Sequence, residues 1–115
     1  YAMPRQYTML TECPYVIIPL FKCSKLNAEW VSKLNPLTTV WCVVENIMLS
    51  AINEELGYSL RIPLNREHDV VLDKLGVPKG WMTPCFIGIG YPKEDERVLE
   101  QYDSTPDGHI HEGKW

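Results

Sequence analysis

The sequence predicts an α+β fold in which one central long helix packs on a mixed or antiparallel sheet. Three observations predict it. Apolar residues recur at helical spacing from Val40 to Leu56, "PYVIIPLFK" and "TPCFIGIGYP" are rich in β-branched and aromatic residues, and 115 residues suffice for one modest core. The hydrophobic fraction of 45% and charged fraction of 23% are those of an ordinary globular domain. A net charge of −4 without a Lys/Arg stripe argues against nucleic acid as a partner. The longest apolar runs, such as "YVIIPLF", fall far short of the roughly 20 residues a membrane helix needs, so no membrane role is expected. Tyr1 in place of Met points to a start that is processed, tagged or truncated.

Cys13, Cys23, Cys42 and Cys85 are scattered without a CxxC pair, which fits neither a disulfide scaffold nor a zinc site. Reduced thiols in a cytoplasmic protein are expected. Cys42 and Cys85 lie in apolar runs and read as buried small hydrophobes.

Taken in order, "PYVIIPLFK" reads as a strand, with Pro19 marking an edge position, a bulge or the strand's end because it cannot donate to a ladder. "KLNAEWVSKL" puts Leu26, Trp30, Val31 and Leu34 on one stripe, a short helix. A longer helix then starts with Asn35 as N-cap and Pro36 in the first helical position, where its missing N–H costs nothing. Val40, Trp41, Val44, Ile47, Met48, Ala51, Ile52 and Leu56 form its stripe, wider than one sheet face requires. Gly57 is the expected left-handed stop. "YSLRIP" follows as an extended piece halted by Pro63. "NREHDVVLDKLGVP" is a helix with Asn65 as cap, Glu67 and Asp69 in its first turn, and Gly76 then Pro78 as its stop. In "TPCFIGIGYP", Gly88 and Gly90 alternate onto one face, which lets something pack closely against that side. From residue 93 to 115 the chain is polar and reads as an extended tail to a single domain spanning 1–115.

This order of segments, with "ENIMLSA", "ELGYSLRIP", "LGVP" and "FIGIGYPKED" at these separations, resembles the C-terminal half of the nitroreductase family. The likeness covers roughly Cys13 to Trp115 and is densest from Val44 to Pro92; "HEGKW" also resembles the His-x-x-Lys-Trp ending of some relatives. It implies a partial nitroreductase-like domain of an FMN-dependent, homodimeric oxidoreductase. The long helix would lie at the dimer interface, which accounts for its wide stripe. The segment after its glycine would pass beside the flavin, placing Ile62, Pro63, Leu64 and Asn65 along the ring, with Arg61 just before them and the glycines of "GIG" nearby. Lys114 remains as one candidate phosphate partner in the tail, and Trp115 could anchor that tail on the neighbouring subunit. The implied chemistry is hydride transfer from NADH or NADPH, through the flavin, to a nitroaromatic, quinone or similar small-molecule acceptor. The cofactor carries that reaction, so no catalytic side chain is demanded.

Two departures bear on this. The family's arginine-rich phosphate-gripping segment and its Pro-Ser-x-x-Asn stretch have no counterpart; Arg5 in "MPRQ" does not match. In the tail, Asp103 and Ser104 stand where basic residues would serve the phosphate. The chain therefore reads as a fragment of an FMN oxidoreductase in which flavin binding is weak or lost. The alternative is a truncated, non-catalytic relative that acts as a dimeric interaction protein. His109, His111 and Glu112 in "HIHE" form too small a set for zinc, which wants four fixed ligands, so no metal is assigned. His68 reads as part of a solvated face, and Trp30, Trp41 and Trp81 as core or interface aromatics.

Overall fold

The computed structural model describes residues 3–22, 30–94, 105, 106 and 108–113. In chain order the elements are α1 (Met3–Glu12), β1 (Tyr15–Ile17), β2 (Phe21–Lys22), α2 (Trp30–Asn53), β3 (Gly57–Arg61), α3 (Asn65–Lys74), β4 (Trp81–Met82) and β5 (Phe86–Gly90). The fold is α+β with a long helix and small sheets. Strands pair in the order β1-β5-β3, and β2 pairs separately with β4. Every pairing among the described residues is antiparallel, so the sheet is not mixed.

The expected strand "PYVIIPLFK" is two strands in two sheets, because the chain breaks at the buried Pro19 between β1 and β2. The two expected helices around Asn35 are one. α2 runs through Pro36, and Asn35 does not cap it. Pro36 has no N–H to offer the preceding turn. Just beyond it the hydroxyls of Thr38 and Thr39 donate to the carbonyls of Leu34 and Asn35, at 2.8–3.1 Å.

The end of α2 also differs from expectation. The left-handed residue is Glu55 (φ 58), and Gly57 is already the first residue of β3. Leu56 N–H reaches Ala51 O at 2.8 Å and Glu55 N–H reaches Ile52 O at 3.0 Å, the paired bonds of a Schellman stop. α3 stops as expected: Gly76 (φ 67) donates to Asp73 O and Val77 to Leu72 O.

β5 divides the molecule into two layers. Ile87 and Ile89, with Leu60 opposite Ile87, pack on α2. Val44, Cys85 and Ile87 are fully buried at the centre, flanked by Trp41, Ile47 and Met48. Gly88 and Gly90 face the other way, toward the end of α1. A Cβ on Gly88 would lie 2.9 Å from Cys13 Sγ, and one on Gly90 2.8 Å from Pro14 Cδ. The close packing expected at these glycines is thus made by the α1 corner. α1 itself was not anticipated, although Met3, Tyr7 and Leu10 carry an i, i+4, i+7 spacing. Cys85 is buried as expected, but Cys42 is exposed, on the side of α2 away from the core.

In the region from residue 93 onward, the described residues contain turns and bends but no helix or strand. Leu26, Asp103, Ser104, Lys114 and Trp115 lie outside the described residues.

Candidate functional site

β3 ends at Arg61, held in register with Phe86 of the central strand. The chain then turns through Ile62, Pro63 and Leu64 into α3. Ile62 and Leu64 are 64% and 62% exposed, so two large apolar side chains stand in solvent beside the backbone. Leu64, extended at φ −71 and ψ 154, is the N-cap, and Asn65 is the first helical residue rather than the cap. Glu67 replaces the expected cap. Its carboxylate reaches back to accept the Leu64 N–H at 3.4 Å, and its charge suits the positive end of the helix.

Ile62 and Pro63 form one wall of a cleft of about 420 Å³, whose other wall is Met82, Thr83 and Pro84. His68 and Asp69 also line it. His68 is not on a solvated face. Its side chain is 15% exposed, and its Nε2 accepts the backbone N–H of Thr83 at 3.2 Å. Nε2 being an acceptor there, the ring proton sits on Nδ1 and is donated to Asp69 Oδ1 at 2.8 Å. Thr83 is itself buried, and its hydroxyl donates to Cys85 O at 2.9 Å. Burial pushes the Cys85 thiol up from its ordinary range, which keeps it protonated and inert. Sequence reasoning missed this tie because Thr83 is fifteen residues from His68 and no local spacing announces it.

Arg61 does not face the cleft as a free cation. Its Nη2 donates to Glu67 Oε2 at 2.7 Å, and the side chain is 12% exposed. Its buried Nε finds no hydrogen-bond partner among the described residues. Gly88 and Gly90 serve the α1 corner rather than the Ile62–Leu64 turn. Of the residues assigned to a flavin, the structure brings Arg61, Ile62, Pro63, Leu64 and Asn65 into one continuous turn, and Ile62 and Pro63 alone among them line the cleft.

The turn has features that suit one part of FMN. An extended backbone flanked by exposed apolar side chains, beside a helix N-terminus, suits the edge of a planar ring. Two basic side chains that could serve a phosphate are already engaged. Arg61 is committed to Glu67, and Lys93 lies 3.8 Å from Glu12. Trp81 is 38% exposed at its strand, and Trp41 packs against the core. No group of three His, Cys, Asp or Glu among the described residues could hold a metal ion; His109, His111 and Glu112 are exposed. No helix among them is long and apolar enough to cross a membrane.

The fold is similar to that of a solved chain from Clostridium acetobutylicum described as a "putative NADH oxidase". The TM-score is 0.59 with 21% sequence identity, over 90% of this chain and 60% of the other. The present chain thus spans about 60% of the length of that protein. No family model and no curated protein matches the sequence.

Proposed function

We propose that the chain is part of an FMN-dependent NAD(P)H oxidoreductase of the nitroreductase type. The observation that carries this is the shared fold with a protein described as a "putative NADH oxidase", over 90% of this chain. The Ile62–Asn65 turn, where the resemblance in sequence puts the ring, supports it by bordering a cleft. A flavin held along this turn by Ile62, Pro63, Leu64 and Asn65 would supply hydride transfer from a reduced nicotinamide to a small acceptor. The chain's own part is to orient and to exclude water. Ile62 and Leu64, exposed on the turn, would cover the ring edge, Pro63 stiffens the turn between them, and the first turn of α3 would offer its positive end to a flavin. The thiols of Cys13, Cys42 and Cys85 are free, which suits a reducing, cytoplasmic setting.

The test is the visible absorption of the purified chain with and without added FMN, followed by NADH or NADPH oxidation with a quinone or nitroaromatic. Shifted flavin bands and acceptor-dependent turnover support the enzyme. A colourless protein that leaves the FMN spectrum and the nicotinamide unchanged sinks it.

The commitment of Arg61 to Glu67, together with exposed apolar residues on α2, favours a second reading: a dimeric interaction protein that holds no flavin. A stable homodimer without any flavin perturbation is the result that selects it.

A further inference from the structure

We infer that Glu67 is a positioning residue, whose single carboxylate oxygen ties together both ends of the Arg61–Leu64 turn and so fixes the wall of the cleft. Oε2 accepts from Arg61 Nη2 at 2.7 Å and from the Leu64 N–H at 3.4 Å. Arg61 is anchored in the sheet opposite Phe86, and Glu67 is anchored in the first turn of α3. One oxygen therefore bridges sheet and helix, with Ile62 and Pro63 held in the loop that it closes.

The loop has little else to hold it. Ile62 and Leu64 are mostly exposed, so apolar burial contributes little to its shape. Without Glu67, Arg61 would keep a nearly buried charge with no counter-ion, and Leu64 would lose its acceptor. The neighbouring residue, His68, fixes the opposite wall through Thr83. Consecutive residues of one helical turn thus set the separation of the two walls. That the held wall serves a flavin rests on the function proposed above; the brace itself does not.

The test compares Glu67→Ala, Glu67→Gln and the swap Arg61→Glu with Glu67→Arg, in the full chain. Amide hydrogen exchange at Leu64, thermal unfolding and FMN fluorescence titration are read together. Glu67→Ala should speed exchange at Leu64 by about tenfold, the loss of one charge-assisted bond, while Glu67→Gln keeps an acceptor and changes it less. The swap restores an ion pair but presents an arginine, which has no acceptor. It should recover Tm yet leave Leu64 exchanging fast and FMN bound roughly tenfold more weakly. A purely structural ion pair would not separate these readouts. Should Glu67→Ala fail to fold, the Gln variant and the swap carry the same comparison. Unchanged exchange at Leu64 in the variants, or full recovery of Leu64 protection in the swap, overturns the assignment. If the unmodified chain takes up no FMN while Leu64 behaves as expected, the flavin reading falls and the positioning role stands.

Discussion

The imidazole of His68 accepts the backbone N–H of Thr83 at 3.2 Å, and that bond joins α3 to the segment entering β5 across the cleft. Thr83 is buried, so its N–H has no ready access to water if the ring is removed. His68→Leu should therefore cost about 1–3 kcal/mol, the penalty of an orphaned buried donor. Urea unfolding gives the value. Asp69→Asn should cost far less, because Asp69 is 81% exposed and its bond to the ring competes with water. Equal losses in the two variants would show that the tie to Thr83 is not what His68 provides.

Glu55 occupies the left-handed position that closes α2, a conformation in which a side chain with a Cβ is strained by about 1 kcal/mol. Glu55→Gly should raise stability slightly, by about 0.5 kcal/mol at most, once the added freedom of the unfolded glycine is discounted. Gly57→Ala, at the position first expected to need the left-handed conformation, should be tolerated better than a left-handed glycine would be. Its Cβ would meet its nearest neighbours at an ordinary 3.6 Å. A thermal shift in the opposite direction for Glu55→Gly would refute the assignment of the stop.

Gly88 and Gly90 admit the α1 corner to contact distance, and the two sites should respond differently to alanine. The atom facing Gly90 is Pro14 Cδ, part of a rigid ring, whereas Cys13 Sγ facing Gly88 ends a short rotatable side chain. Both alanine variants should lose about 1–3 kcal/mol, Gly90→Ala the more. Adding Cys13→Ala to Gly88→Ala should recover part of the loss, a coupling that a double-mutant cycle measures. Additive losses would mean that Cys13 is not what crowds Gly88.

The stripe of α2 divides between the chain's own core and solvent. Val44 is fully buried against Cys85 and Ile87, while Val43, Leu49 and Ile52 are 47%, 56% and 58% exposed. Val44→Asp should unfold the chain through an unpaired buried charge. Ile52→Asp should leave the fold intact and, if α2 mediates a homodimer, shift sedimentation toward monomer. A dimer that survives charge at Val43, Leu49 and Ile52 together would place its interface elsewhere.

A phosphate of nearly two negative charges needs several charge-assisted bonds, each worth on the order of 1.5–3 kcal/mol. With Arg61 bound to Glu67, FMN affinity should be micromolar or weaker. Replacing Asp103 and Ser104 by Arg and Lys should strengthen it, and the gain should shrink as salt is added. Stoichiometric FMN held tightly by the unmodified chain would show that other groups grip the phosphate.

Several features follow from the sequence alone because they are local. The helical period of Val40 to Ala51, the interruption of "PYVIIPLFK" by Pro19 and the stop at Gly76 each depend on residues a few positions apart. The alternation of Gly88 and Gly90 told that something would pack closely on one face of a strand, though not that it would be Cys13 and Pro14. Tertiary structure decided the rest. It carried α2 through Pro36, moved the left-handed stop from Gly57 to Glu55, paired Arg61 with Glu67 and turned His68 inward to Thr83. At Pro36 a local preference of about 3 kcal/mol was overridden, and at Arg61 and His68 the deciding partners are ones that the fold brings within reach. Periodicity says which face of an element is apolar; which atoms meet that face depends on residues far away in the chain.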